Sequence, residues 1–476
     1  MQFVSPLYLC FLPLTWLLFW LTPVSRRWMI LLAASMLFAS WHNPGTLLVL
    51  CLFSGFTFAS GFLLNKARSG RSIIFYSSLI IQISNLLLLK YAESGGAGLH
   101  FVFKEAGFRS DVILMAVGFS FYTLQHIGYL CDIYFGRITP VSQPFRFLLF
   151  SSLFAKFNAG PLEKVQSLLP QFTAPQASEG LLVLGLQRIL LGFFKKMLLA
   201  DRLAPMVMQV YGDNDQLGSF VTAAGACIFT LQLYFDFSAY SDIAIGTAQL
   251  FGIRLSENFN YPLSASSVSE FWRRWHISLI SWFSTYIYYP LVFRLRRLGK
   301  ISVLAGIFCT FLISGIWHGL GGTFLIWSLL HVVYLSYEGL TKNTRLQWSK
   351  RFPPLFYKCF SIGITFALVC FSNLFFRAEN MIQVKMLLSE LGSSPFRGEG
   401  FFEGFLSVLA GGGYQEVLFN FWITFALVAG FLFLEKRIYR SMAAGRHVLI
   451  RITILLVLLF IFGIFKKADY FIYLQF

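Results

Sequence analysis

Charge is what this sequence has least of. Asp, Glu, Lys and Arg make up 12% of its 476 residues, about half the share of a soluble globular chain. Acidic residues are the scarcer kind, 21 against 38 basic ones. A soluble chain this poor in charge, with 57% apolar residues, could not hide its apolar surface from water. The seven cysteines form no CxxC pair and lie in or beside apolar runs, so they read as small buried hydrophobes and not as a disulfide framework or metal ligands. No HExxH, Walker A, GxGxxG or GxSxG pattern stands in a credible context, so no metal site or bound cofactor is expected. No basic segment precedes the first apolar run and no small-residue cleavage site follows it, so 6–24 is read as a retained span. No internal repeat is visible, which weighs against an inverted-repeat transporter.

What the chain does have is apolar length. Runs at 6–24, 46–64, 72–90, 111–131, 181–199, 218–235, 301–317, 323–341, 356–376, 416–434 and 448–465 suit a helix of roughly 20 residues crossing the hydrocarbon. With the short stretch 28–42 this predicts an all-α polytopic integral membrane protein with about 11 to 13 crossings, built as a single domain over 1–476. The net charge of +17 collects in short loops: Lys66, Arg68 and Arg71; Arg294, Arg296, Arg297 and Lys300; Lys342, Arg345, Lys350 and Arg351; Lys436, Arg437, Arg440 and Arg446. That is the positive-inside pattern and not a nucleic-acid stripe. It puts those loops in the cytoplasm, and it puts 93–110 and 378–415 outside.

Two regions interrupt the hydropathy. Segment 144–172 carries Pro144, Lys156, Asn158, Gly160, Pro161, Glu163 and Lys164 beside apolar runs, and is expected to be re-entrant, since irregular backbone at membrane depth must be buried in protein or line a cavity. Segment 254–300 is polar, aromatic and basic, and is expected to form short helices at the cytoplasmic interface.

Three constellations could carry chemistry. In Ser267-Val-Ser-Glu270-Phe-Trp-Arg-Arg-Trp-His276, Ser267 and Glu270 fit a capping box. Helical spacing would then put Trp272 and His276 on one face, with Arg273 and Arg274 on another side. Aromatics, two guanidiniums and an imidazole suit an anionic donor, or equally a membrane-surface anchor containing Trp275 as well. In Ser314-Gly-Ile-Trp317-His318-Gly319, a histidine costly in hydrocarbon should face the protein interior or a water cavity, as a general base or as a structural group at a Gly-rich helix break. Asp236, Tyr240 and Asp242 form a polar stripe inside a span, either a structural network between helices or a proton relay. His331 and His126 read as core histidines.

Several blocks together resemble the membrane-bound O-acyltransferase family, in its bacterial alginate O-acetyltransferase-like branch. They are Ala-Val-Gly118-Phe-Ser-Phe-Tyr-Thr-Leu-Gln125 with Asp132-Ile-Tyr134; Asn158-Ala-Gly160-Pro161; Tyr234-Phe-Asp236-Phe-Ser-Ala-Tyr240-Ser-Asp242; Glu257-Asn258-Phe-Asn-Tyr-Pro262; Phe271-Trp-Arg-Arg-Trp-His276; Gly315-Ile-Trp-His318-Gly; and Phe375-Phe-Arg377-Ala. They run in family order over most of the chain. The chain departs from the pattern at Trp282-Phe-Ser284-Thr285-Tyr286, where relatives usually have Arg-Asp, and at Ala239, where they have Gly.

The resemblance implies helices around a central tunnel, His318 as the catalytic histidine and His276 as a second one on the donor side, with Trp272, Arg273, Arg274, Trp275, Trp317 and Asn258 lining the donor and substrate path. It implies acetyl-CoA or another acyl-thioester as donor and a separate extracytoplasmic acetyltransferase as partner, besides membrane lipids. It also implies residence in the bacterial inner membrane and O-acetylation of a cell-envelope polysaccharide such as alginate or peptidoglycan. The last residues, Phe471-Ile-Tyr473-Leu-Gln-Phe476, are similar to endings in which the tyrosine is thought to carry the acyl group, and also fit an aromatic belt. D-alanyl transfer to teichoic acid is the alternative within the family. A proton-coupled transporter or flippase is the alternative outside it.

Overall fold

The computed structural model describes residues 2–41, 44–93, 118–175, 178–212, 218–394, 414–445 and 447–463. Among them the regular structure is helical, with no strand. Cα packing divides the chain into two compact units.

The first unit is built from residues 1–189 and 240–257. Its helices are α1 (Pro6–Leu21), α2 (Arg27–Ser40), α3 (Pro44–Lys66), α4 (Arg71–Glu93), α5 (Phe119–Tyr134), α6 (Pro144–Ser152), α7 (Val165–Thr173) and the beginning of α8 (Glu179–Phe194). Its centre holds the segment expected to be re-entrant. Every residue from Ser151 to Glu163 is buried, although the backbone between α6 and α7 is irregular. Such backbone survives at depth only if its polar groups find partners. Ser35 Oγ accepts the Phe154 N–H at 3.1 Å, and Tyr240 Oη accepts the Ala159 N–H at 3.2 Å. Lys156 Nζ donates to Gln125 Oε1 at 3.0 Å. Gly160 is required by space: a Cβ there would sit 2.4 Å from Lys156 Cα.

The second unit is built from residues 190–239 and 258–467. After a π-helical turn, Lys195–Ala200, come α9 (Asp201–Val210) and α10 (Gly218–Leu250), whose residues 218–239 belong here and 240–250 to the first unit. The short helices α11 (Val268–Arg274), α12 (Ile277–Phe283) and α13 (Tyr289–Arg294) follow. Then come α14 (Lys300–His318), α15 (Gly322–Leu340), α16 (Lys342–Arg351), α17 (Pro354–Arg377), α18 (Met381–Leu391), α19 (Tyr414–Ala443) and α20 (Val448–Phe462). Helices α14 and α15 form a hairpin whose backbones approach so closely that a Cβ at Gly315 would lie 2.8 Å from the Ser328 side chain.

Six helices among the described residues are long and apolar enough to cross a membrane: α3, α4, α10, α14, α15 and α17. Helices α1 and α20 are apolar but shorter. The apolar runs suggest about 11 to 13 crossings; six is a count over the described residues alone, and two of the runs it leaves out are explained locally. The run 181–199 is interrupted by the π-helical turn that begins at Lys195. The run 28–42 becomes the 14-residue α2. Large apolar side chains on the outer surface, Ile73 and Phe460 among them, fit a lipid surround. The loop 94–110 and the tail 471–476, with Tyr473, lie outside the described residues, as do residues 395–413 of the segment 378–415.

Candidate active site

The site lies in the second unit, where α11 stops. The Ser267 hydroxyl accepts the Glu270 N–H at 3.1 Å, as a capping box requires, but the Glu270 carboxylate turns to the N–H and hydroxyl of Ser266 and not to Ser267. At the other end, the helix that spacing alone would carry through His276 ends at Arg274. Segment 258–260 takes up the backbone there: the Asn260 N–H donates to the Arg274 carbonyl, and the Ile277 N–H donates to the Asn258 carbonyl, each at 2.9 Å. His276 then adopts a left-handed backbone, φ 46°, uncommon for a residue with a Cβ. The break replaces the expected i, i+4 relation of Trp272 and His276. Even so, both side chains line the same cavity.

That cavity is small, about 30 Å³, room for a water or two. Three histidines from three segments line it: His276, His318 at the C-terminal end of α14, and His331 from α15. Trp272, Trp275, Ser314, Trp327, Asn373 and Phe376 stand with them in its wall. His318 is buried among rings: Trp317, Phe376 and Trp327 have centroids 4.7, 5.1 and 5.3 Å from it. Phe376 comes from the Phe-Phe-Arg block and brings that motif to the same place.

Hydrogen bonds fix the form of two of these rings. Asn258 Oδ1 accepts both the backbone N–H and the hydroxyl of Ser278, at 3.3 and 2.8 Å. A backbone N–H can only donate, so this atom is the amide oxygen. His276 Nδ1, 3.1 Å from it, must therefore carry the proton. Nε2 is then the lone-pair nitrogen of a neutral imidazole. Burial pushes His276 down to about 3, since desolvation penalises the cation. The ring is a neutral acceptor at physiological pH.

The other residues singled out in the sequence fall in different places. Arg274 is clamped by Glu270 at 2.5 Å, Ser264 Oγ at 2.8 Å and the Tyr261 carbonyl. Arg273 is exposed. Neither lines the cavity; nor do Asn258 and Trp317, which back His276 and His318 from behind. The three residues of the α10 stripe have three different partners. Asp236 pairs with Lys196 at 2.8 Å, Tyr240 holds the buried irregular segment at Ala159, and Asp242 pairs with Arg188 at 2.8 Å, which also binds Glu257. Lys195 and Lys196, both on the π-helical turn and both buried, were not singled out in the sequence. Nor were Trp327 and Asn373. The signal for Trp327 and His331 was there: with Thr323 and Ser328 they form the buried face of α15, a polar and aromatic stripe at helical spacing. Among the described residues no three His, Cys, Asp or Glu side chains converge as a metal site.

Comparison with known proteins bears on this arrangement. The family model described as "MBOAT, membrane-bound O-acyltransferase family" matches residues 134–376, a span containing all three histidines. "Probable alginate O-acetylase AlgI" of Pseudomonas aeruginosa is 33% identical over 80% of this chain and 73% of its own length. A "Peptidoglycan O-acetyltransferase" of Helicobacter pylori is 31% identical over 64% of this chain and 61% of its own. A "Teichoic acid D-alanyltransferase" of Bacillus subtilis is 25% identical over 71% and 87%. The chain belongs to the membrane-bound O-acyltransferase family and is an acyltransferase.

Proposed function

We propose that the protein moves an acetyl group from a cytoplasmic thioester, acetyl-CoA, across the bacterial inner membrane for O-acetylation of a cell-envelope polysaccharide. His318 takes the proton from the acceptor hydroxyl as general base. His276 serves the donor side, and the basic loop 294–300 attracts the anionic donor. Tyr473 is the acceptor that carries the acetyl group outward as an ester, and a separate extracytoplasmic transferase receives it.

The observation that carries this reading is the meeting of His276 and His318 at one cavity although 42 residues separate them in sequence. The relatives favour acetyl over D-alanyl transfer, with 33% and 31% identity to the O-acetylating proteins against 25% to the D-alanyltransferase. Base catalysis is worth roughly 10²–10⁴-fold, and positioning supplies much of the remainder.

The test is thioester cleavage and acetyl transfer by the purified full-length chain given labelled acetyl-CoA. His318→Ala should lose at least about 10²-fold; near wild-type turnover would remove His318 as the base. Tyr473→Phe should retain no ester-bound label, and label still on that variant would place the carrier elsewhere.

A further inference from the structure

The cavity contains a donor that the proposed roles leave unused. Trp327 is 3% exposed, and its indole Nε1–H meets no hydrogen-bond acceptor among the described residues. It lines the cavity beside the histidines, its ring centroid 5.3 Å from that of His318 and 5.1 Å from that of His331. Buried N–H groups without an acceptor are rare and costly in native proteins, so one at the wall of a cavity marks a place where an acceptor arrives.

Three neighbouring donors are already committed. The Trp272 Nε1–H donates to His331 Nδ1 at 3.2 Å. His331 Nε2–H faces Ser372 Oγ at 3.1 Å, and that hydroxyl donates to the Val369 carbonyl. Asn373 Nδ2 donates to Thr230 Oγ1. An indole N–H can only donate. Its ligand must therefore be an acceptor, and in an acyl transfer the acceptor that gains charge is the acyl carbonyl oxygen.

We infer that Trp327 is a catalytic residue whose Nε1–H binds the acyl carbonyl oxygen and stabilises the oxyanion during transfer. The inference rests on the proposed acetyl transfer. The acceptor oxygen attacks the thioester carbonyl carbon, a C–O bond forms, and the carbonyl π pair moves onto oxygen, where the indole N–H receives it. The acceptor's proton passes to the histidine base. When the oxyanion collapses, the C–S bond breaks, the thiolate leaves with the bonding pair, and the histidine returns the proton to it. A donor aimed at developing charge acts mainly in the transition state, so its loss appears in kcat more than in KM.

The experiment compares four full-length proteins in the labelled acetyl-CoA assay: wild type, Trp327→Phe, His318→Ala and a protein carrying benzothienylalanine at 327. That last residue keeps the shape of tryptophan with sulfur in place of N–H. Both changes at 327 should lower kcat by about 10²-fold, with KM for acetyl-CoA changed by no more than about threefold, within the scatter of small packing changes. Wild-type kcat in the benzothienylalanine protein, with His318→Ala inactive, would overturn the role of Trp327 alone and reduce its unpaired N–H to a water site. Loss of turnover in Trp327→Phe but not in the sulfur isostere would overturn it equally, as a packing effect. No turnover in the wild type, or full turnover in His318→Ala, would instead sink the parent reading and this one with it.

Discussion

The Trp272 Nε1–H donates to His331 Nδ1 across 3.2 Å, and this single bond decides the state of a buried histidine. Because indole cannot accept, Nδ1 bears the lone pair and the ring proton sits on Nε2. That proton faces Ser372 Oγ, whose own proton goes to the Val369 carbonyl. Helices α11, α15 and α17 are thus tied by one directed chain, and each donor has one acceptor. Trp272→Phe keeps an aromatic ring but leaves Nδ1 an unpaired buried acceptor. It should cost about 1–3 kcal/mol, read as a lower melting temperature in detergent micelles. His331→Ala added to the Trp272→Phe variant should then cost less than His331→Ala alone. Additive losses would mean that the two side chains are not coupled.

The bond between Asn258 and His276 makes a prediction about pH. His276 is held near 3 by burial, well below the ordinary histidine value of about 6.5. The unfolded chain takes up a proton below about 6.5 and the folded one does not. This residue therefore contributes a loss of stability as pH falls from about 6.5 toward 3, up to about 1.4 kcal/mol per pH unit. His276→Gln should flatten that part of the stability–pH curve. Asn258→Asp acts in the opposite direction on activity: a carboxylate beside Nδ1 favours the imidazolium and raises the pKa. The acid limb of its activity–pH profile should move up relative to wild type. Superimposable profiles would show that Asn258 does not set the protonation of His276.

How much of this could be read from the residues depended on whether a feature is local. The helical class followed from apolar length, and the buried irregular segment around Asn158-Ala-Gly-Pro followed from polar residues set in apolar surroundings. His318 stood out because a histidine beside glycines at the end of an apolar run is costly without a purpose. The relation of Trp272 to His276 was misread because the helix is ended by backbone bonds from segment 258–260, a tertiary cause that spacing cannot reveal. His331 reads as a core histidine, and both ring nitrogens do have partners. Its place at the cavity depends on how α15 is rotated against α11 and α17. Lys195 and Lys196 fall near the end of the run 181–199 and resemble the end of a span. The π-helical turn buries them instead, closed by the Asp201 N–H reaching back to the Lys196 carbonyl, a feature with no clear sequence signature.

That turn carries the remaining prediction, which separates a structural network from a proton path. Lys196 Nζ lies 2.8 Å from both Asp236 and Asp201, and Asp236 is fully buried. Breaking a buried pair from one side leaves a charge without its counter-ion and costs about 3–5 kcal/mol, whereas replacing both partners with apolar groups is often neutral. Lys196→Met should therefore melt well below wild type, and Lys196→Met with Asp236→Leu should recover most of the loss. If the pair only holds α10 against the π-helical turn, the double variant should also recover acetyl transfer, because no ionisable group is needed there once the packing is restored. A proton relay requires the carboxylate itself. In that case the double variant would be stable and inactive, and the Asp236 stripe would have to be moved from scaffold to mechanism.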